Sequence, residues 1–141
     1  MRNRILLMHK RVHRVQLTEA AQIMLRRLIE QHGPVLFHLS GGCCDGSSPM
    51  CFPTREFRVG GADILLGRLP WHTEFWMGGD QFERWKHTHL TVDVVEGRGS
   101  GFSLEAPEGV RFIVRSRLLT VEERAVLDAG PPPPTGAERL T

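Results

Sequence analysis

Tyrosine is absent from the 141 residues, cysteine occurs three times, and no apolar run is long. The longest uninterrupted apolar stretch, Ile5-Leu6-Leu7-Met8, and runs of three such as Val35-Leu36-Phe37 fall far short of the ~20 residues that a membrane-spanning helix needs. Four apolar residues between Arg4 and Lys10 are also too few for the apolar stretch of a secretory signal, so a cytoplasmic protein is expected. The cysteines are odd in number and lie close together (Cys43, Cys44 and Cys51), which makes a poor disulfide framework for a core of this size. A reducing compartment fits such usage. There is no P-loop, GxGxxG, HExxH or GxSxG, and the cysteines are not spaced as CxxC. Phosphate-cradling loops, zinc-protease helices, hydrolase elbows and zinc knuckles are therefore not indicated. Internal repeats are absent too. Lys10 and Lys86 are the only lysines among the basic residues, a bias of composition rather than of chemistry.

What is present reads as one ordinary globular domain. Hydrophobic residues make up 40%, charged residues 24%, and mean hydropathy is −0.22, which excludes a disordered chain, a collagen and a coiled coil. A chain of this length buries about two-thirds of its unfolded surface. The net charge of +2 is unevenly placed. Residues 1–15 carry Arg2, Arg4, Lys10, Arg11 and Arg14 and no acid, whereas acids outnumber bases in the remainder. No aromatic side chain is interleaved with these cations, so a solvated terminus is expected rather than a nucleic-acid arm. The expected organisation is a basic arm over 1–15, a single α+β domain over 16–129, and a Pro-rich disordered tail over 130–141.

The spacing of Ala21, Met24, Leu25, Leu28 and Ile29 predicts a helix from Thr18 to Gln31, with Thr18 as N-cap and Gly33-Pro34 as its stop. The period then changes. Strands are predicted over Val35–Leu39, Asp63–Leu69, Thr73–Met77, His89–Val95, Gly101–Glu105 and Val110–Leu119, with a helical turn over Asp80–Lys86. Thr120-Val121-Glu122-Glu123 is a capping box opening a short last helix to Ala129. With no βαβ alternation, the expected architecture is a mostly antiparallel, sandwich-like sheet with one N-terminal helix and a short C-terminal helix.

The strongest functional signal is the loop Ser40-Gly41-Gly42-Cys43-Cys44-Asp45-Gly46-Ser47-Ser48-Pro49-Met50-Cys51. Thiolates on such a loop can converge on one point, which neighbours in a regular strand cannot do. Two readings are open: a metal or reactive-thiol site, or small buried hydrophobes. For a metal, Cys43 with Cys51 is the expected pair, Cys44 the weaker partner, and Asp45 and His87 the completing groups. His38 lies one strand residue before the loop, and His87 and His89 form an HxH pair at the entry to a strand. Trp71, Phe75, Trp76, Phe82 and Trp85 read either as core or as a partner surface.

Two resemblances attach to these residues. The stretches Gly33–His38, Ser40–Cys51, Gln81–Thr88, Asp93–Gly99 and Phe102–Glu105 look like a bacterial family of unknown function. That family is encoded beside NAD-dependent acetaldehyde dehydrogenases, and His87 matches its pattern while His89 is an addition of this chain. The resemblance implies an aldehyde dehydrogenase as partner. More distantly, Leu17-Thr18-Glu19-Ala20-Ala21, Leu25, Gly41-Gly42-Cys43, Gly46, Gly101-Phe102 and Pro107 resemble the A-type (HesB-like) iron–sulfur carriers. Those proteins hold iron or a [2Fe–2S] cluster on the loop cysteine and a C-terminal Cys-x-Cys. Here that tail reads Arg115-Ser116-Arg117, leaving Cys44 and Cys51 as candidate local replacements.

The expected function is a non-catalytic accessory protein that holds a metal (Fe or Zn), a [2Fe–2S] cluster or a reactive thiol in this loop and serves an aldehyde dehydrogenase. The alternatives are a small cysteine enzyme acting on aldehydes or thiol adducts, with His38 or His87 as base, and a pure interaction module whose Trp-rich segment 71–85 binds the dehydrogenase or a second copy.

Overall fold

The computed structural model describes residues 11–41, 46–97 and 101–139. Val15–Leu17 forms β1 and Glu19–His32 forms helix α1, capped by the Thr18 hydroxyl, which accepts from Ala21 N–H. Gly33 ends the helix at φ 78, a conformation that suits a residue without a side chain, and its N–H donates to the Ile29 carbonyl. The order continues as β2 (Val35–Leu39), β3 (Met50–Pro53), β4 (Ile64–Leu69), β5 (Thr73–Met77), α2 (Gly79–Trp85), β6 (Thr88–Glu96), β7 (Val110–Leu118), α3 (Val121–Ala129) and α4 (Gly136–Arg139).

The strands form two mixed sheets, ordered β1-β6-β7 and β3-β2-β5-β4. β1 runs parallel to β6 and β2 parallel to β5, while β2–β3, β4–β5 and β6–β7 are antiparallel. This is an α+β fold, mostly antiparallel in its pairings, with one parallel pair in each sheet. One core joins the two sheets and α1. Val15, Leu90, Val92, Phe112 and Val114 come from the first sheet, Val35, Phe37, Leu39, Phe75 and Met77 from the second, and Ala21, Leu25 and Leu28 from the helix. Phe37 meets Phe112 edge-on at 4.9 Å and stacks on Phe75 at 5.9 Å. All five residues of β2 are buried, because its outer face is covered as well. There Leu36, Leu65 and Trp76 pack with Phe52, Phe57 and Val59.

Three sheet edges are closed by irregular chain. Gly46 and Ser47 exchange backbone bonds of 2.8 Å with Val114 of β7. Leu104 N–H donates to the Cys51 carbonyl of β3 at 3.0 Å. Leu65 N–H of β4 donates to the Pro134 carbonyl at 2.9 Å. Covering edges in this way removes templates for wrong pairing.

Residues 101–105, expected as a strand, form turns running into a 3-10 turn at Ala106–Glu108, because Ser103 and Glu105 turn inward to bond buried groups. The expected arm does not extend to residue 15. Val15 is core, and Arg14 donates to the Lys86 carbonyl and lies over the Phe82 ring. Its first ten residues lie outside the described ones. The tail expected to be disordered is instead tied along β4 up to Ala137.

The β4–β5 turn carries two consecutive non-glycine residues in the left-handed region, Trp71 (φ 62) and His72 (φ 60). Such tips favour Asn-Gly, since a side chain there costs roughly 1–2 kcal/mol per residue. His72→Gly is expected to stabilise the protein by about 1 kcal/mol, read as a higher urea midpoint at unchanged slope. A lower midpoint would show that the His72 side chain holds the turn.

Candidate functional site

β2 delivers the chain to the Gly-Gly-Cys-Cys loop, and the β7 edge receives it. Leu39 is buried at the end of β2, and after the loop Gly46 takes φ 89 and bonds Val114 with Ser47. The loop thus starts on one sheet and is fastened to the other. Cys43, Cys44 and Asp45 lie outside the described residues.

Cys51, the expected partner of Cys43, sits on β3 opposite Phe37, with no exposed surface, inside the shared core. Its N–H donates to Ser103 Oγ at 2.8 Å, and the Ser103 hydroxyl donates to Glu105 Oε1. Glu105 is itself 1% exposed, and its Oε2 accepts from Phe112 N–H at 3.3 Å. A buried polar chain therefore links β3 to β7 through the segment between β6 and β7. Burial pushes the Cys51 thiol up, and the nearby Glu105 carboxylate adds to this, so the protonated thiol is strongly favoured. Burial also raises Glu105, while its bonds from Ser103 and Phe112 pull it partly back.

His38 is the second element of the site. It lies on the outer face of β2, nearly buried, with Nε2 3.1 Å from Asp63 Oδ1 and its ring 5.1 Å from Phe57. Asp63 is fixed in turn, its Oδ2 accepting from Gly60 N–H at 2.8 Å. An imidazole oriented by a carboxylate is the arrangement a general base needs.

His87 precedes β6 and is exposed, and its carbonyl accepts from Leu119 N–H at 2.9 Å. His89 is buried, with Nδ1 2.8 Å from the His13 carbonyl oxygen. The HxH pair is thus divided between solvent and interior. Among the described residues, no group of three or more His, Cys, Asp or Glu could hold a metal ion. Of the aromatic cluster, Phe75, Trp76 and Trp85 are core, and Trp71 is 47% exposed at the turn. Asp93, outward on β6, accepts from Thr18 Oγ1 and Arg115 Nε and so ties the helix cap to the sheet.

Asp63, Ser103 and Glu105 are the site residues that sequence reasoning missed. Their partners lie 25, 52 and 7 residues away, at Asp63–His38, Ser103–Cys51 and Glu105–Phe112, so no local motif announces them.

These features define an α+β domain of two mixed sheets around one core, with a thiol-bearing loop strung between the sheets. The chain belongs to the family described as Domain of unknown function (DUF779), whose family model matches residues 24–118. That span holds the loop, Cys51, the His38–Asp63 pair and Glu105, and it ends with β7. No curated protein and no solved structure matches the chain. No described helix is long and apolar enough to cross a membrane.

Proposed function

We propose that this chain is a non-catalytic accessory protein whose Gly-Gly-Cys-Cys loop carries a reactive thiol, a metal ion or an iron–sulfur cluster, and that it serves an aldehyde dehydrogenase. The observation that carries the reading is the complete burial of Cys51. A core thiol held protonated is a poor ligand and a poor nucleophile, so thiolate chemistry falls to Cys43 and Cys44. Asp45 and His87 remain candidate completing ligands. Aldehyde dehydrogenases use a catalytic cysteine that oxidants inactivate, and a thiol or metal helper answers that chemistry. Anaerobic purification with elemental analysis, an absorption spectrum and thiol titration tests the proposal. Bound iron or zinc that Cys43→Ser removes, or a loop thiol of depressed pKa, is expected. Metal-free protein whose loop thiols titrate like free cysteine would overturn it.

The His38–Asp63 pair favours a second reading, a small cysteine enzyme acting on aldehydes or thiol adducts with His38 as base. Under it, His38→Gln and Asp63→Asn both slow alkylation of the loop thiols near neutral pH. Unchanged rates would remove His38 from the chemistry.

A further inference from the structure

The C-terminal segment closes the β4 edge as a strap. Thr135 forms an antiparallel bridge with Ile64, Gly136 N–H donates to the Asp63 carbonyl at 2.9 Å, and Ala137 N–H donates to the Gly61 carbonyl at 3.1 Å. Gly136 is buried in a notch. A Cβ there would stand 1.9 Å from the Gly60 carbonyl oxygen, so glycine alone fits. What connects this anchor to the domain is tied to β7 at the start of α3, where Glu123 accepts from Arg117 at 2.8 and 3.0 Å, and buries little beyond that. α3 contributes no buried residue, and Pro131, Pro132 and Pro134 are exposed. A run of four prolines is a stiff spacer of roughly 12 Å that resists folding back.

We propose that the strap and the β4 edge form an exchangeable interface between two copies of this chain, the strap of each seating on the edge of the other. The edge is complementary in hydrogen-bond register and at the glycine notch to this chain's own residues 134–137, and a second copy carries the identical segment. Every contact made within one chain is reproduced between two, and the arm that moves uncovers no buried side chain of α3. Exchange of an identical element is a low-cost route to a symmetric dimer. This inference is independent of the loop chemistry.

The test uses the full chain carrying Gly61→Cys and Ala137→Cys. The Cβ positions lie 3.7 Å apart, within the ~3.5–4.5 Å that a disulfide spans. Oxidation of dilute protein is expected to give an intrachain bond. After incubation at high concentration it is expected to give a reducible covalent dimer, well above that of the Gly61→Cys single variant, which counts dimers made through native cysteines. An intrachain bond at every concentration would overturn the proposal. Light scattering on protein lacking Pro132 and Pro133 supplies a second readout. The shortened hinge should raise the dimer fraction several-fold, and Gly136→Val should abolish it. A dimer that survives Gly136→Val uses another face and also overturns the proposal.

Discussion

Replacing Glu105 with alanine is expected to remove about 3 kcal/mol of stability, more than a surface carboxylate ever contributes. The side chain is 1% exposed and accepts from the Ser103 hydroxyl and from Phe112 N–H. Its loss leaves both donors unpaired between the sheets, each at about 1–3 kcal/mol, with part of that offset because a buried carboxyl no longer has to be desolvated. Glu105→Gln keeps the shape and one acceptor and should cost less. The two differ in their dependence on pH. Burial raises the Glu105 pKa above its ordinary 4.5, so its contribution is fully present below 4.5 and is lost as pH rises through the folded value. Glu123 has the opposite sign. The Arg117 guanidinium and Thr120 N–H hold it at about 2, so its contribution is present above 4.5 and lost as pH falls towards 2. Subtracting the Glu105→Gln curve from wild type cancels Glu123 and isolates Glu105. Urea unfolding between pH 4 and 7.5 should show the wild-type advantage shrinking as pH rises. A constant difference would show that the carboxyl titrates normally.

Where local chemistry decides structure, the sequence was readable. Thr18 and Gly33 bracket α1 because a hydroxyl cap and a positive-φ stop act within a few residues. The capping box forms as spaced, Thr120 and Glu123 satisfying each other's backbone N–H. Strands β2, β4, β5, β6 and β7 follow their apolar patterns, and the α+β class follows from the order of elements. Pairings that depend on distant chain were not readable. β1 is three residues long and exists because β6, more than seventy residues later, lies beside it. β3 begins inside a Gly/Ser/Pro stretch that signals only loop. Residues 101–105 have strand-like content, yet Ser103 and Glu105 gain more by bonding buried groups than by joining a ladder. The proline run ends the last long helix as expected, but nothing local shows that Gly136 meets a glycine-sized notch.

The candidate site divides along the same line. The loop composition marks where thiols can gather, and the choice between ligand and core for each cysteine is a tertiary property. For Cys51 it is decided by Phe37 opposite and by the sheet above. His38 was readable as a residue near the loop, whereas its Asp63 partner comes from the turn before β4, with no sequence proximity to reveal it.

Labelling of native protein with iodoacetamide should therefore be slower at Cys51 than at a free thiol by orders of magnitude. Cys51 has no exposed surface, packs on both sheets, and is held as a thiol by burial and by Glu105. Reagent reaches it only when the core opens. Core elements open at a free energy close to that of global unfolding, ~5 kcal/mol or more, so labelling at Cys51 should be slower than at a free thiol by at least about a thousandfold. Full labelling should appear in denaturant, which restores both access and an ordinary thiol pKa. Glu105→Gln offers a finer test, since it removes the negative neighbour while leaving the sulfur buried. Slow Cys51 labelling should persist in that variant, because burial is the larger cause. Peptide mass spectrometry against time reads each site separately. Cys51 reacting in native protein as fast as a small-molecule thiol would mean that β3 leaves the sheet readily, and the assignment of thiolate chemistry to Cys43 and Cys44 alone would fall with it.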